Sequence, residues 1–237
     1  MSKRAIILAG GKGTRLRPYT VVLPKPLMPI GQYPILEVII RQLSRAGFDH
    51  VTLAVNHQAE IIKAFFQDGQ KWGIKIDYSL EENPLGTMGP LKLIKELPKN
   101  FLVMNGDILT NLDFSAFFDR HVVSGKIFTI SSMLRKHKID YGVLETNPNQ
   151  MLIGMKEKPE VEYQVSMGIY MLSNKILDHI PENTPFGFDS LMLRLLEIDE
   201  SVAVTPFTGY WLDIGRPDDY EKAIDEFERV GEKFING

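Results

Sequence analysis

The 237-residue sequence contains no cysteine, which excludes a disulfide framework, a thiolate metal site and a cysteine nucleophile. It has no apolar run approaching the roughly 20 residues that a membrane-spanning helix needs. Nor does one sign of charge dominate. With 27 basic residues against 30 acidic ones and a net charge of -3, the chain offers no broad footprint for nucleic acid or an anionic membrane, so neither is expected as a partner. Internal repeats, low-complexity tracts and Gly/Ser linkers are missing too, and no domain boundary is marked. The charged prefix Met1-Ser2-Lys3-Arg4 precedes an apolar stretch, Ala5 to Ala9, that is too short for a signal-peptide core. A cytoplasmic protein is therefore expected. The histidines His50, His57, His121, His137 and His179 have no metal-ligand spacing, and none is assigned a role.

What the chain does have is a dense beginning. The apolar run Ala5-Ile6-Ile7-Leu8-Ala9 feeds into Gly10-Gly11-Lys12-Gly13-Thr14-Arg15-Leu16-Arg17-Pro18, followed by Leu23-Pro24-Lys25-Pro26-Leu27-Met28-Pro29. A strand that opens into a turn with three glycines lets backbone N–H groups curl around an anion, which makes a phosphate cradle. Arg15 and Lys25 add two cations, the second held between prolines that restrict the backbone. Better-known phosphate loops do not fit. A dinucleotide fingerprint starting at Gly11 meets Leu16 where its third glycine belongs, and a Walker loop meets Gly13 where Ser or Thr belongs. A structural glycine turn would account for Gly10-Gly11 alone, but not for the cations around them.

Further along, Ile35 to Leu43, Glu60 to Phe66 and Leu91 to Leu97 have helical spacing, while Val51 to Val55, Ile74 to Tyr78 and Phe101 to Met104 read as strands. Such alternation implies a mostly parallel sheet covered on both faces, with ligands at the carboxyl ends of its strands. The loops at 9–18, 79–88 and 105–111 are thus expected to converge on one site. The second half suggests a mixed sheet: strands at Ile127 to Met133, Tyr141 to Leu144, Leu152 to Lys156 and Val165 to Leu172, helical turns at Lys175 to Leu177 and Asp189 to Leu196, and a closing helix over 217–230. Arg135-Lys136-His137-Lys138 reads as a solvated loop. Asn105-Gly106-Asp107 and Trp211-Leu212-Asp213-Ile214-Gly215 each set a carboxylate beside a glycine at a strand end, as a metal site or as an ordinary turn aspartate.

The two-part motif Gly10 to Pro18 with Pro24-Lys25-Pro26 resembles the signature of the sugar-1-phosphate nucleotidylyltransferases, most like the mannose-1-phosphate guanylyltransferase branch. The resemblance implies an α/β fold: a Rossmann-like three-layer sandwich with a mostly parallel mixed central sheet, of the nucleotide-diphospho-sugar transferase type. It implies a single domain over 1–237, its nucleotide-binding part about 1–110 and its sugar-binding part about 111–237. Longer relatives add a hexapeptide-repeat β-helix for which this chain has no room. By the same resemblance, Leu8, Ala9, Gly10, Gly11, Gly13 and Thr14 bind a nucleoside triphosphate, and Asp107 and Asp213 hold Mg²⁺. Arg15, Lys25 and Asp107 are the catalytic set.

Leu80 to Pro90 is similar to the family's Leu-Gly-Thr-Ala-Gly segment, which puts Glu81, Gly86 and Thr87 at the base. A carboxylate at Glu81 can accept from both the ring N–H and the exocyclic amine of guanine, which favours GTP over UTP or dTTP. On the sugar side, Tyr141-Gly142-Val143 and Glu157-Lys158-Pro159 resemble the family's Tyr-Gly-Val and Glu-Lys-Pro. Gly142 then lies against the hexose, Glu157 takes sugar hydroxyls and Lys158 grips the sugar phosphate. Ser166-Met167-Gly168-Ile169-Tyr170 stands where the family has Asn-Ala-Gly-Ile-Tyr. Ser166 and Gly168 are carried over as sugar contacts, and the added bulk of Met167 leaves mannose, glucose, a heptose or an amino sugar open. The expected partners are a nucleoside triphosphate and a sugar 1-phosphate, with a homo-oligomer left open. A non-catalytic nucleotide-sugar sensor of the same fold is the competing reading.

Overall fold

The structure, a computed structural model, describes residues 2–56 and 58–236; His57 lies outside the described residues. Its centre is a seven-stranded sheet. From the first half of the chain come β1 (Arg4–Leu8), β4 (His50–Val55), β5 (Lys75–Leu80) and β6 (Asn100–Asn105). From the second come β8 (Phe128–Lys138), β11 (Glu160–Ser173) and β12 (Ala203–Phe207). The strand order is β12-β8-β11-β6-β1-β4-β5. Six strands share one direction, and β11 alone runs antiparallel to both its neighbours. The expected mostly parallel, mixed sheet is what forms.

Side-chain alternation builds three layers. Ala5 and Ile7 of β1 point into one apolar cluster while Ile6 points into the other. The first cluster is covered by α1 (Ile35–Arg45), α2 (Ala59–Phe66), α3 (Phe114–Ser124) and α5 (Pro217–Asn236). The second is covered by α4 (Phe188–Glu197) and two 3-10 segments, Gly89–Leu93 and Asn174–His179. Three small two-stranded sheets complete the fold: β2 (Pro29–Ile30) with β3 (Tyr33–Pro34), β7 (Ile108–Thr110) with β13 (Trp211–Asp213), and β9 (Val143–Thr146) with β10 (Leu152–Lys156). Among the described residues no helix is long and apolar enough to cross a membrane.

Some expectations need correction. Leu91 to Leu97 is not a helix: the 3-10 segment ends at Leu93, Ile94 is extended and Glu96 has φ of 55°. Pro98 contributes to this, because a residue before proline is disfavoured in the helical region. Arg135 to Lys138 is not a loop but the end of β8, paired with Glu160 to Tyr163 of β11 in a ribbon that projects beyond the sheet. Its side chains are solvated as expected.

Candidate active site

Because β11 is reversed, its bulge near Ser166 reaches the same sheet edge at which β1, β5 and β6 end. The three expected loops meet there. The first leaves β1 through Ala9, whose N–H donates to the Ala54 carbonyl at 2.8 Å. It turns at Gly13, which has φ of 59°, a left-handed value that disfavours a side chain. A Cβ there would also press on Thr20 and on Lys25 Cβ, 3.0 and 3.2 Å away. The turn is tied down by the Thr20 hydroxyl, which donates to the Gly13 carbonyl at 2.7 Å, and anchored by the buried Leu16. Gly11, Lys12, Thr14 and Arg15 stay exposed. Of the three glycines, only Gly13 needs the left-handed conformation.

Next to this loop the Pro24-Lys25-Pro26 segment forms a 3-10 turn that buries Lys25. Its ammonium forms an ion pair with Asp107 Oδ2. Asp107 follows β6, where the Gly106 N–H donates to the Leu8 carbonyl at 3.0 Å and holds the two loops together. Asp213 arrives from the far end of the chain. β13 pairs antiparallel with β7, Asp213 opposite Ile108, and the Ile214 N–H donates to the Asp107 carbonyl at 3.0 Å. Arg15 completes the cluster: a Cβ on Gly215 would lie 3.6 Å from Asp213 Oδ2 and 3.7 Å from both Arg15 Nη atoms. Burial first, and then the negative charge of Asp107, push the Asp213 carboxyl above the usual range, against the opposing pull of Lys25 and Arg15. The sequence-distant carboxylates Asp107 and Asp213 thus feel one another directly.

Asp107 Oδ1 is buried and has no hydrogen-bond partner among the described residues. An orphaned carboxylate oxygen beside a second, repelled carboxylate is a donor set that suits a hard divalent cation. No group of three or more His, Cys, Asp or Glu side chains gathers as a complete metal site among the described residues. A cation here would take its remaining ligands from water and substrate oxygens, as Mg²⁺ commonly does.

Glu81 follows β5 and is buried. Its Oε2 accepts the Leu85 N–H at 3.0 Å, and Oε1 lies 3.2 Å from where a Cβ on Gly10 would be. Burial raises its carboxyl pKa, opposed by the Leu85 hydrogen bond. Glu81 therefore lies beside Gly10 of the glycine-rich loop, with one oxygen already engaged by the 81–88 loop. The stretch Leu85 to Gly89 is stitched to Phe186, and the Thr87 hydroxyl accepts the Phe188 N–H at 2.8 Å at the start of α4.

The sugar-side residues divide into two groups. Gly168 has φ of 71°, and a Cβ on it would lie 2.6 Å from Asn105 Nδ2, so it borders the Asp107 strand end. The Ser166 hydroxyl accepts the Gly168 N–H at 3.2 Å and donates to the Tyr170 hydroxyl at 3.1 Å, which clasps the bulge where the β8–β11 register shifts. The Met167 side chain is buried in the core with the Ser131 hydroxyl donating to its sulfur at 2.9 Å, so the expected bulk is not in the cleft. Gly142, Glu157 and Lys158 gather elsewhere. A Cβ on Gly142 would lie 3.1 Å from Glu157 Oε2, at the end of the β8–β11 ribbon beyond the Ile139–Pro159 backbone bond. From the Ser166–Ser132 pair to the Glu160–Lys138 pair the ribbon spans roughly 20 Å at about 3.3 Å per residue. Among the described residues no hydrogen bond or ion pair joins that tip to the loop cluster.

Sequence reasoning missed Trp211 as anything but a neighbour of Asp213, and it missed Asn105 as the partner of Gly168. The Trp-Leu-Asp string held the only signal for the first, a buried-type aromatic two residues from a carboxylate.

The chain is similar to known proteins in sequence and in fold. The chain is 35% identical over 241 residues to a UTP–glucose-1-phosphate uridylyltransferase of Synechocystis sp., covering 93% of this chain. It is 34% identical over 228 residues to a mannose-1-phosphate guanyltransferase of Candida albicans, covering 92% of this chain. In both cases the match spans 62% of the relative's own length. Among solved structures, HddC from Yersinia pseudotuberculosis complexed with GMP-PN superposes with a TM-score of 0.70 at 27% identity, covering 96% of this chain and 100% of that one. Residues 4–229 match the model of the family described as nucleotidyl transferase, and to that family of sugar-1-phosphate nucleotidyltransferases the chain belongs.

Proposed function

We propose that this chain transfers a nucleoside monophosphate, GMP from GTP, to a sugar 1-phosphate such as mannose 1-phosphate or a related hexose or heptose 1-phosphate. The products are a nucleotide-diphosphate sugar and pyrophosphate. The observation that carries this reading is the cluster of Lys25, Asp107, Asp213 and Arg15 at the carboxyl edge of the sheet beside the glycine-rich turn. A sensor that only bound a nucleotide sugar would not need two carboxylates pressed together with two cations. The nucleotide side is assigned to the first 110 residues and the sugar side to the remainder.

In the proposed reaction an oxygen of the sugar 1-phosphate attacks the α-phosphorus of the triphosphate. A new P–O bond forms as the bond to the β-phosphate oxygen breaks, and that oxygen leaves with pyrophosphate, with no covalent enzyme intermediate. Joining two polyanions requires charge neutralisation in place before the reaction. The turn at 10–14 presents backbone N–H groups to the triphosphate, Arg15 faces the growing charge on the leaving pyrophosphate, and Lys25 neutralises the reacting phosphates. Asp107 and Asp213 would hold Mg²⁺, which supplies Lewis-acid polarisation of phosphate oxygens and a fixed in-line geometry. Gly168 borders the acceptor, while Gly142, Glu157 and Lys158 reach it only if the ribbon tip folds over the cleft.

Guanine is favoured by the guanyltransferase relatives and by the solved structure with GMP-PN. Uridine is favoured instead by the uridylyltransferase relative and by one contact: with Glu81 Oε2 bound to the Leu85 N–H, the carboxylate has less capacity for two base donors. A grid of the common nucleoside triphosphates against a panel of sugar 1-phosphates, scored for pyrophosphate release in Mg²⁺, decides between them. Release with GTP and a mannose-type acceptor supports the reading, fastest release with UTP reassigns the base, and no release with any pair sinks the transferase.

A further inference from the structure

A side chain joins the strand that carries Asp213 to the bulge that carries Gly168. Trp211 Nε1 donates to the Met167 carbonyl at 2.9 Å. A β-bulge takes backbone groups out of the ladder, and each then needs another partner. Here the register shift falls between Ser166 and Tyr170, and the indole is the partner for Met167. On the other side of the same residue the buried Met167 sulfur meets the Ser131 hydroxyl, so the peptide is held from the core as well. The next residue is Gly168, packed against Asn105 at the end of β6, two positions before Asp107. Trp211 is itself held by the β7–β13 ladder, where it sits opposite Thr110; the Arg135 guanidinium lies over the outside of the ring, 4.8 Å from its centre.

We propose that Trp211 is a positioning residue whose indole N–H fixes the acceptor-facing bulge of β11 to the carboxylate-bearing strand β13. The sugar 1-phosphate side of the cleft and the Asp213 side then keep one spacing. This rests on the nucleotidyl-transfer reading above. The consequence is selective. Loss of the N–H frees the Met167 carbonyl and loosens the bulge, while β13 stays paired to β7 through its backbone, so Asp213 and the triphosphate side keep their places.

The test compares wild type with Trp211→Phe, which removes the N–H and keeps an aromatic ring, and with Arg135→Ala, which removes the cation over the ring and keeps the N–H. Two quantities are read: KM for each substrate and amide hydrogen exchange over 165–170. For Trp211→Phe, KM for the sugar 1-phosphate rises roughly three- to tenfold, the range for one lost hydrogen bond, while KM for the triphosphate stays within about twofold. Exchange over 165–170 rises by a similar factor. Arg135→Ala changes neither. Trp211→His, which offers a ring N–H again, recovers part of both effects, and should Trp211→Phe not fold, Trp211→Leu, which also lacks the N–H, takes its place. Equal shifts in both KM values, or unchanged exchange at the bulge, overturn the assignment. If the wild type turns over no substrate pair, the transfer reading fails, and the exchange measurement alone decides whether Trp211 holds the bulge.

Discussion

Lys25 is paired with one of the two carboxylates that a divalent cation would need, so its removal should act with opposite signs on metal binding and on turnover. The Lys25 ammonium is paired with Asp107 Oδ2, so a metal ion entering between Asp107 and Asp213 must share or displace it. Two unit charges at about 4 Å interact by roughly 4 kcal/mol at an effective dielectric near 20. The Asp107 side chain is 21% exposed, and this solvent access together with the cost of desolvating the ammonium lowers the net to about 1–2 kcal/mol. In Lys25→Met the two carboxylates face one another without that cation. Divalent-ion affinity should therefore rise roughly 5- to 30-fold. Turnover should fall about 10²–10³-fold, because a preorganised cation at the reacting phosphates is gone. Electron paramagnetic resonance of Mn²⁺ with nucleotide-free protein measures the first quantity, and pyrophosphate release measures the second. Unchanged or weaker Mn²⁺ binding in Lys25→Met refutes the competition, and a drop in kcat below tenfold refutes the catalytic assignment. Asp107→Asn is the control that should lose Mn²⁺ binding.

Two further predictions concern stability. His121 is buried in α3, its Nδ1 lies 2.8 Å from the Thr129 hydroxyl, its Nε2 has no partner among the described residues, and burial lowers its pKa to about 4. An unfolded histidine takes up a proton near pH 6.5 that the folded one resists until about pH 4, so the unfolding free energy should fall on acidification across that window, by up to about 3 kcal/mol. Urea titrations at several pH values check this, and a profile as steep in His121→Gln as in the wild type would assign the effect to other groups. Gly168→Ala places a side chain at φ of 71° and against Asn105. It should cost about 1–2 kcal/mol, lowering Tm by roughly 2–8 °C, and an unaltered Tm would mean that the bulge relaxes freely.

Much of the architecture was legible because the parallel strands are buried on both faces and read as short apolar runs; Val51 to Val55 and Phe101 to Met104 fall inside β4 and β6. The convergence of the loops followed from where parallel strands end. Elements whose residues do not obey one period were not legible. β13 has only three residues and exists because β7 pairs with it. β12 contains Pro206, which suits only an edge position, and it does lie at the sheet edge. Helix α3 did have terminal signals, Asp113 accepting the Ala116 N–H and Gly125 at φ of 64°, but its apolar face is weakly marked. The bulk expected of Met167 went to the core for a different reason. Met167 alternates with Ile169 and Met171 into the first apolar cluster, a sidedness fixed by the pairing of β11 with β6 and not marked in the Ser-Met-Gly string itself.

The single reversed strand of the sheet decides which part of the chain is decoupled from the core. Since β11 enters the sheet at the cleft edge and β8 leaves it there, everything between Ile139 and Pro159 hangs from a two-stranded stem whose register inside the sheet is fixed independently, from Ile169 to Ser173, by pairing with β6. That excursion can be lengthened, shortened or exchanged without retuning the core or the charge cluster. Under the proposed function, which puts Gly142, Glu157 and Lys158 at the sugar, that excursion is where acceptor choice can be altered with the phosphate site left as it is.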